Sequence, residues 1–310
     1  MIRKPTLLIF GAGVSFEYGF PLGRSLLLKI VADLEFGSRL CQMMKSLGFT
    51  FSAIDQFRRE LGLSGQPSVD AFLEQHKKDE QLGKLGKTAI AASLIPSEDE
   101  ARLNDRSAIR LYEYLWHQIS GSPNMYSANQ LSIITFNYDR SFEQYLRTVL
   151  TASHPEFRDQ CNGFNAALSQ FDVIHIFGSL GSLETKSSTY LPYGLQGAPN
   201  SVTIEQAAAR IKLYHEAQFD DDTSNRIRLR ITEAETICFL GFGFHPINIR
   251  LLEFCGLGEN KDTHHYASAF GLKPGERKSI LERVKFDITF ANEQATSLEA
   301  LRSLPVLTTS

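Results

Sequence analysis

The sequence has no paired cysteines. Its four, Cys41, Cys161, Cys238 and Cys255, stand far apart, with no C-x-x-C half-site. That excludes the common structural zinc modules, whose ligands come in close pairs, and no metal is expected. Cys238 and Cys255 have apolar neighbours and read as buried thiols. No apolar run approaches the roughly 18 residues of a membrane span, so no membrane contact is expected. The opening Met1-Ile2-Arg3-Lys4 is basic, but only Thr6 to Phe10 follow as an apolar stretch. That is short for a secretory signal core, which makes cytoplasm the expected location. An excess of positive charge is missing too. A formal net charge of -3 gives no electrostatic footprint for direct nucleic-acid binding. The chain shows no internal repeat and no low-complexity tract.

What is present is core material in a regular order. At 310 residues, 43% hydrophobic and 22% charged, the chain has the composition of a globular domain with a large core. Thr6 to Phe10 is a short apolar run ending at glycine, the pattern of a buried parallel strand. Helical spacing follows over Gly23 to Leu34, Phe51 to Leu61, Val69 to Gln75 with Ser68 as N-cap, Lys84 to Leu94, and Ala108 to Ile119. None of this stretch alternates like a strand, so a helical insertion at about 36–125 is expected. Strand patterns resume at Leu131 to Phe136, Asp172 to Phe177, Thr236 to Leu240, His265 to Phe270 and Val284 to Phe290. Helical patterns lie over Phe142 to Leu150, Ile204 to Phe219, Pro246 to Cys255, Pro274 to Val284 and after Thr296. Asp220-Asp221-Asp222 reads as a solvated break, and Gly181, Pro192, Gly194, Gly197 and Pro199 mark a long loop. This alternation predicts an α/β fold: a doubly wound, Rossmann-like, six-stranded parallel sheet. It is expected as a single domain over 1–305 with a short tail at 306–310.

In such sheets ligands bind beyond the carboxyl ends of the strands. Motifs stand at those ends. Gly11-Ala12-Gly13-Val14-Ser15 follows the first strand, where small residues let backbone approach a diphosphate at a helix N-terminus. Phe16 occupies the place of the third glycine of the dinucleotide fingerprint, and helix rather than an acid-ended strand comes about 20 residues later. Those departures disfavour a hydride-transferring dehydrogenase. Thr135-Phe136-Asn137-Tyr138-Asp139 puts an amide and a carboxylate at a strand end, although both types are also favoured helix caps. His175 precedes Gly178-Ser179-Leu180-Gly181. Gly241-Phe242-Gly243-Phe244-His245-Pro246-Ile247-Asn248 repeats the strand–glycine–helix pattern of the first motif.

Together these motifs resemble the sirtuin-like family, in order and rough spacing over nearly the whole chain. They are Gly11-Ala12-Gly13 and Ser15 with a later Gly19-Phe20-Pro21, then Thr135, Asn137 and Asp139, a histidine beside a strand-end glycine, and a late glycine-rich turn. Lacking a zinc module and carrying a helical insertion, the chain is most similar to bacterial sirtuin-like NADases of anti-phage defence. The resemblance implies NAD as substrate, with Gly11, Ala12, Gly13, Ser15, Pro21, Thr135, Gly178, Ser179, Gly241, Gly243, Phe244 and Asn248 contributing to its binding. It implies that Asn137 and Asp139 face the nicotinamide riboside and that a histidine acts near that ribose. In deacylase sirtuins a histidine directly precedes the glycine; here Phe177 does, and His175 is two residues earlier. Strand alternation puts His175 and Phe177 on one face, about 6.6 Å apart, with His175 the deeper. His245, in the last motif, is the rival.

The expected activity is an NAD glycohydrolase. Asn137 would position water or ribose, Asp139 would bind the carboxamide, and His175 would act as a base. Two alternatives stay open: an NAD-dependent protein deacylase, against which the missing cysteine pairs argue, and a non-catalytic sensor of NAD or ADP-ribose. A homo-oligomer and a regulatory or sensor protein are the expected partners.

Overall fold

The computed structural model describes residues 1–119, 126, 128–154, 171–195, 199–218 and 221–307. Of the residues named above, Cys161, Gly197, Phe219, Asp220 and tail residues 308–310 lie outside them.

Six strands form one sheet: β1 (Thr6–Phe10), β2 (Leu131–Thr135), β3 (Asp172–His175), β4 (Thr236–Leu240), β5 (His264–Ala267) and β6 (Thr289–Phe290). Every pairing is parallel and the spatial order is β3-β2-β1-β4-β5-β6. This is a doubly wound, Rossmann-like sheet, with its change of direction between β1 and β4. The two strands at that point, β1 and β4, are buried at every residue. A parallel sheet covered on both faces requires such unbroken apolar runs.

The outer strands are shorter than their sequence pattern. Asp172 to Phe177 stops as a strand at His175, because Ile176 and Phe177 enter a turn. His265 to Phe270 stops at Ala267, and Val284 to Phe290 contracts to Thr289–Phe290. β6 pairs only with β5, and an edge strand has one neighbour to reward extension.

Around the sheet lie α1 (Ala12–Phe16), α2 (Gly23–Asp33), α3 (Arg39–Ser46), α4 (Phe51–Leu63), α5 (Val69–Gln75), α6 (Glu80–Leu94), α7 (Glu100–Leu103), α8 (Leu111–Ile119) and α9 (Ser141–Ser153). There follow α10 (Ser201–Ala208), α11 (Tyr214–Gln218), α12 (Asp221–Glu233), α13 (Pro246–Phe254), α14 (Pro274–Arg283) and α15 (Ser297–Ser303). The pattern over Ile204 to Phe219 divides into α10 and α11, and Asp221 opens α12 instead of standing in a break. α3, α7 and α12 have no counterpart among the expected helices; α7 spans a single turn, too short to display a period. Ser68 caps α5 as expected, its side chain accepting from the Ala71 N–H. No helix among the described residues is long and apolar enough to cross a membrane, and no cluster of possible metal ligands occurs among them.

Helices α2 to α6 pack on each other, and α3 and α6 also pack on α10, which follows β3. They are fastened to the sheet through the segment after β2. The guanidinium of Arg140, almost fully buried, donates from Nε to Glu98 Oε1 at 2.9 Å and from Nη2 to Glu98 Oε2. Its Nη1 donates to the Leu191 carbonyl. Removing one partner of such a pair strands a buried charge. Glu98→Ala should therefore cost about 3–5 kcal/mol in urea unfolding, while replacing both partners by methionine should cost far less. A loss below about 1 kcal/mol for the single variant would contradict this role.

Candidate functional site

The register brings the sequence motifs to one level. Phe10 pairs with Thr135 on one side and Leu240 on the other, and Thr135 pairs with His175. The residues that follow these strands therefore emerge together at the carboxyl edge of the sheet, at its change of direction.

There the two glycine turns meet backbone to backbone. The Gly13 N–H donates to the Gly241 carbonyl at 3.0 Å. A Cβ on Gly11 would stand 2.5 Å from the Gly241 carbonyl oxygen, and one on Gly13 2.7 Å from the Gly241 Cα. Gly241 itself has φ +58°, a left-handed conformation that glycine adopts without a steric penalty. Its N–H is held by Ser268 Oγ at 2.8 Å. The contact alters the phosphate-binding expectation, because the Gly13 N–H already has a partner. The N–H groups of Ala12, Phe242 and Gly243 have none among the described residues.

These groups border a cavity of about 820 Å³, within the usual range for cofactor sites. Of the expected binding residues, Gly11, Ala12, Gly13, Asn137, Gly241, Gly243 and Asn248 line it. His245 lines it too, at the N-cap of α13. Phe16, Phe136, Phe177 and Phe242 supply an apolar wall, and Glu17 and Asp70 supply carboxylates. No lysine or arginine is among the lining residues.

Other expected residues stand behind the wall. Phe244 is buried among Phe239, Phe242 and Phe290, at φ 51°. Gly178 packs on the carbonyl of Arg210, with Phe177 O accepting from the Lys212 N–H at 2.8 Å. The Ser179 hydroxyl donates to the Gly181 carbonyl, and neither Ser179 nor Pro21 reaches the cavity.

Ser15, Thr135, Asn137 and Asp139 form a connected polar cluster. Asn137 Nδ2 donates to the Gly11 carbonyl at 3.0 Å and to Ser15 Oγ at 2.9 Å. A carbonyl oxygen can only accept, which fixes the orientation of the amide. Asn137 Oδ1 is left with no donor from the described residues, and Asn137 is one of the residues that line the cavity. Ser15 Oγ donates to Asp139 Oδ2 at 2.6 Å, and Asp139 Oδ1 accepts from the Ser141 N–H at 3.1 Å. Thr135 Oγ1 accepts from the Asn137 N–H at 3.1 Å. Asp139 is buried in this cluster and does not line the cavity.

His175 is also set back. Its Nδ1 meets the Asn137 carbonyl at 2.9 Å and its Nε2 meets Glu143 Oε1 at 2.6 Å. Because β3 ends at His175, strand alternation does not carry on to Phe177: Phe177 lines the cavity and His175 does not. Burial alone would pull the His175 imidazole down, but the Glu143 carboxylate and the Asn137 carbonyl outweigh it and hold it above its ordinary value. Burial likewise pushes Glu143 up, and His175 more than reverses this, leaving it below the usual carboxylate range. With one ring nitrogen on the Asn137 carbonyl and the other on the Glu143 carboxylate, His175 braces the Asn137 backbone from behind the cavity.

Glu143, Glu17 and Asp70 escaped the sequence reading. Glu143 occurs as one more polar residue in a helical pattern, and Asp70 as an acid in the first turn of α5, where acids are ordinary. No family model and no curated protein matches the chain.

Two predictions follow from this geometry. Gly13→Ala should lose roughly 1–3 kcal/mol of stability through overpacking, or more if the turns part. Gly243→Ala, whose Cβ meets nothing within 4 Å, should change it by less than about 0.5 kcal/mol; equal losses in denaturant would contradict the account. The second concerns pH. The raised His175 contributes stability below its unfolded value near 6.5, lost as pH rises through the folded one. The lowered Glu143 contributes above its unfolded value near 4.5, lost as pH falls through the folded one. The stability gap between wild type and Glu143→Gln should thus be widest at about pH 4.5–6.5 and shrink above it. A gap independent of pH would contradict the charged pair.

Proposed function

We propose that this chain binds NAD in the cavity between the two glycine turns and hydrolyses its nicotinamide–ribose bond. The observation that carries the reading is the set of unpaired N–H groups of Ala12, Phe242 and Gly243 beside the Asn137 amide, on one cavity of dinucleotide size. Backbone donors suit a diphosphate. The lining carries Glu17 and Asp70 and no lysine or arginine, which disfavours a triphosphate and favours a ligand with a cationic ring.

The reaction is NAD⁺ plus water giving ADP-ribose, nicotinamide and a proton. The C–N bond breaks with its electron pair going to the pyridinium nitrogen, so nicotinamide leaves neutral and needs no general acid. The ribosyl centre develops oxocarbenium character, as in glycoside hydrolysis, and water forms the new C–O bond and releases its proton to solvent. Asn137 Oδ1 would accept a hydrogen bond from that water or from a ribose hydroxyl. Ser15, Asp139, Thr135 and His175 would hold Asn137 in place, which reassigns Asp139 and His175 from substrate contact to positioning. Uncontrolled NAD loss harms the cell that makes the enzyme. A defence effector restrained by oligomerisation or by a regulatory partner suits such an activity.

Binding without cleavage is the second reading, and the withdrawal of His175 from the cavity is the observation on its side. Incubation with NAD and chromatography of the products separates the two. Wild type should release nicotinamide and ADP-ribose. Asn137→Ala should lose at least about 100-fold in rate while remaining folded at the assay temperature by circular dichroism. Unchanged turnover in the variant would overturn the assignment of Asn137, and tight NAD binding with no consumption by wild type would establish the second reading.

A further inference from the structure

The cavity contains a carboxylate that neither glycine turn nor the Asn137 cluster uses. Asp70 lies two residues past the Ser68 cap of α5, so the helical segment before β2, and not the sheet, brings it to the site. An acid in the first turn of a helix is common, because it complements the helix dipole. Here the side chain is also tethered elsewhere. The hydroxyl of Tyr138, a buried residue directly after Asn137, donates to Asp70 Oδ1 at 2.5 Å.

The second oxygen, Oδ2, accepts from no other described residue, and Asp70 keeps partial exposure where it borders the cavity. No cation lines the cavity to pair with it. The titratable neighbour is His245, whose imidazole is held below its ordinary value by burial and by Arg250 and Arg283. Burial pushes the Asp70 carboxyl above its usual range, with the Tyr138 hydroxyl, Asp70's own backbone N–H and His245 opposing. A carboxylate has about four acceptor sites, so beside the Tyr138 hydroxyl and its own N–H it keeps capacity for a ligand hydroxyl on the cavity side.

Dinucleotide-binding sheets usually place a ribose-binding acid at the end of the second strand, about 20 residues after the glycine turn. In this chain helix α2 occupies that stretch. We infer that Asp70 replaces that acid from the insertion: its carboxylate, braced by Tyr138, accepts a hydrogen bond from a ribose hydroxyl of the NAD seated on the two turns. The inference rests on the NAD reading of the cavity. It makes Asp70 a specificity-determining residue that favours ribose over deoxyribose and repels a phosphate at the same hydroxyl.

The test pairs variants with ligands. Binding of NAD, and of the NAD analogues lacking the 2′- or 3′-hydroxyl of either ribose, is measured by calorimetry in Asn137→Ala protein, so that ligand is not consumed. The same series is repeated with Asp70→Asn added. For one hydroxyl, removal should weaken binding to the Asn137→Ala protein at least about 10-fold. Adding Asp70→Asn should weaken NAD binding to a similar extent, and the two changes together should weaken it no further than either alone. Tyr138→Phe, which only frees Oδ1, should give a smaller loss at the same hydroxyl and supplies the test if Asp70→Asn does not fold. Additive losses at every hydroxyl, or full-strength NAD binding by Asp70→Asn, would overturn the inference and leave the NAD reading standing. Failure of both wild type and Asn137→Ala to bind NAD would overturn the reading and the inference together.

Discussion

The contact between two stretches of bare backbone is the constraint on which the site depends. Gly11 and Gly13 after β1 and Gly241 after β4 touch where the sheet changes direction, closer than any Cβ would permit. The approach joins two strand–helix turns into one floor. It engages the Gly13 N–H internally and leaves those of Ala12, Phe242 and Gly243, on residues that line the cavity, without a partner among the described residues. On the proposed reading, a diphosphate held here would draw its donors from both turns. Such a site differs from the single-loop cradle of a dehydrogenase, and Phe16 in place of the third glycine is consistent with that difference.

The segment after β2 converts this floor into an enclosed site, with consecutive residues reaching different parts of the molecule. Asn137 reaches the Gly11 carbonyl and Ser15 of the first turn. Tyr138 reaches Asp70 on α5, Asp139 reaches Ser15, and Arg140 reaches Glu98 beyond α6. His175 and Glu143 brace the same segment from β3 and α9. The sheet, the first glycine turn and the helical insertion are thereby registered against one another by four adjacent side chains. Each is buried or partly buried, so each bond acts where water competes least.

The layers of the fold were readable from the chain because they rest on periodicity. The unbroken runs of β1 and β4 and the helical spacing over α2, α4 and α5 each carry a local signal. Glycine at strand ends located the cavity for the same reason: close backbone approach demands it. What the sequence did not display is direction. Nothing local tells that Asp139 turns toward Ser15 and away from the cavity, or that the turn at Ile176 sends His175 to Glu143 while Phe177 lines the wall. Asp70 does not stand out because a first-turn acid has a sufficient local explanation, and its contact with Tyr138, 68 residues away, has no local signal. β6 was overestimated because residues Val284 to Ile288 have strand-like composition, yet the edge of the sheet offers them no partner along that length.

The central claim is that both turns hold one diphosphate. A crystal structure of the protein soaked with ADP-ribose tests it most directly. The account predicts diphosphate oxygens within hydrogen-bond distance of the N–H groups of Ala12, Phe242 and Gly243, with a ribose directed toward Asn137. ADP-ribose bound at any other cavity, or on one turn with the other untouched, would contradict it.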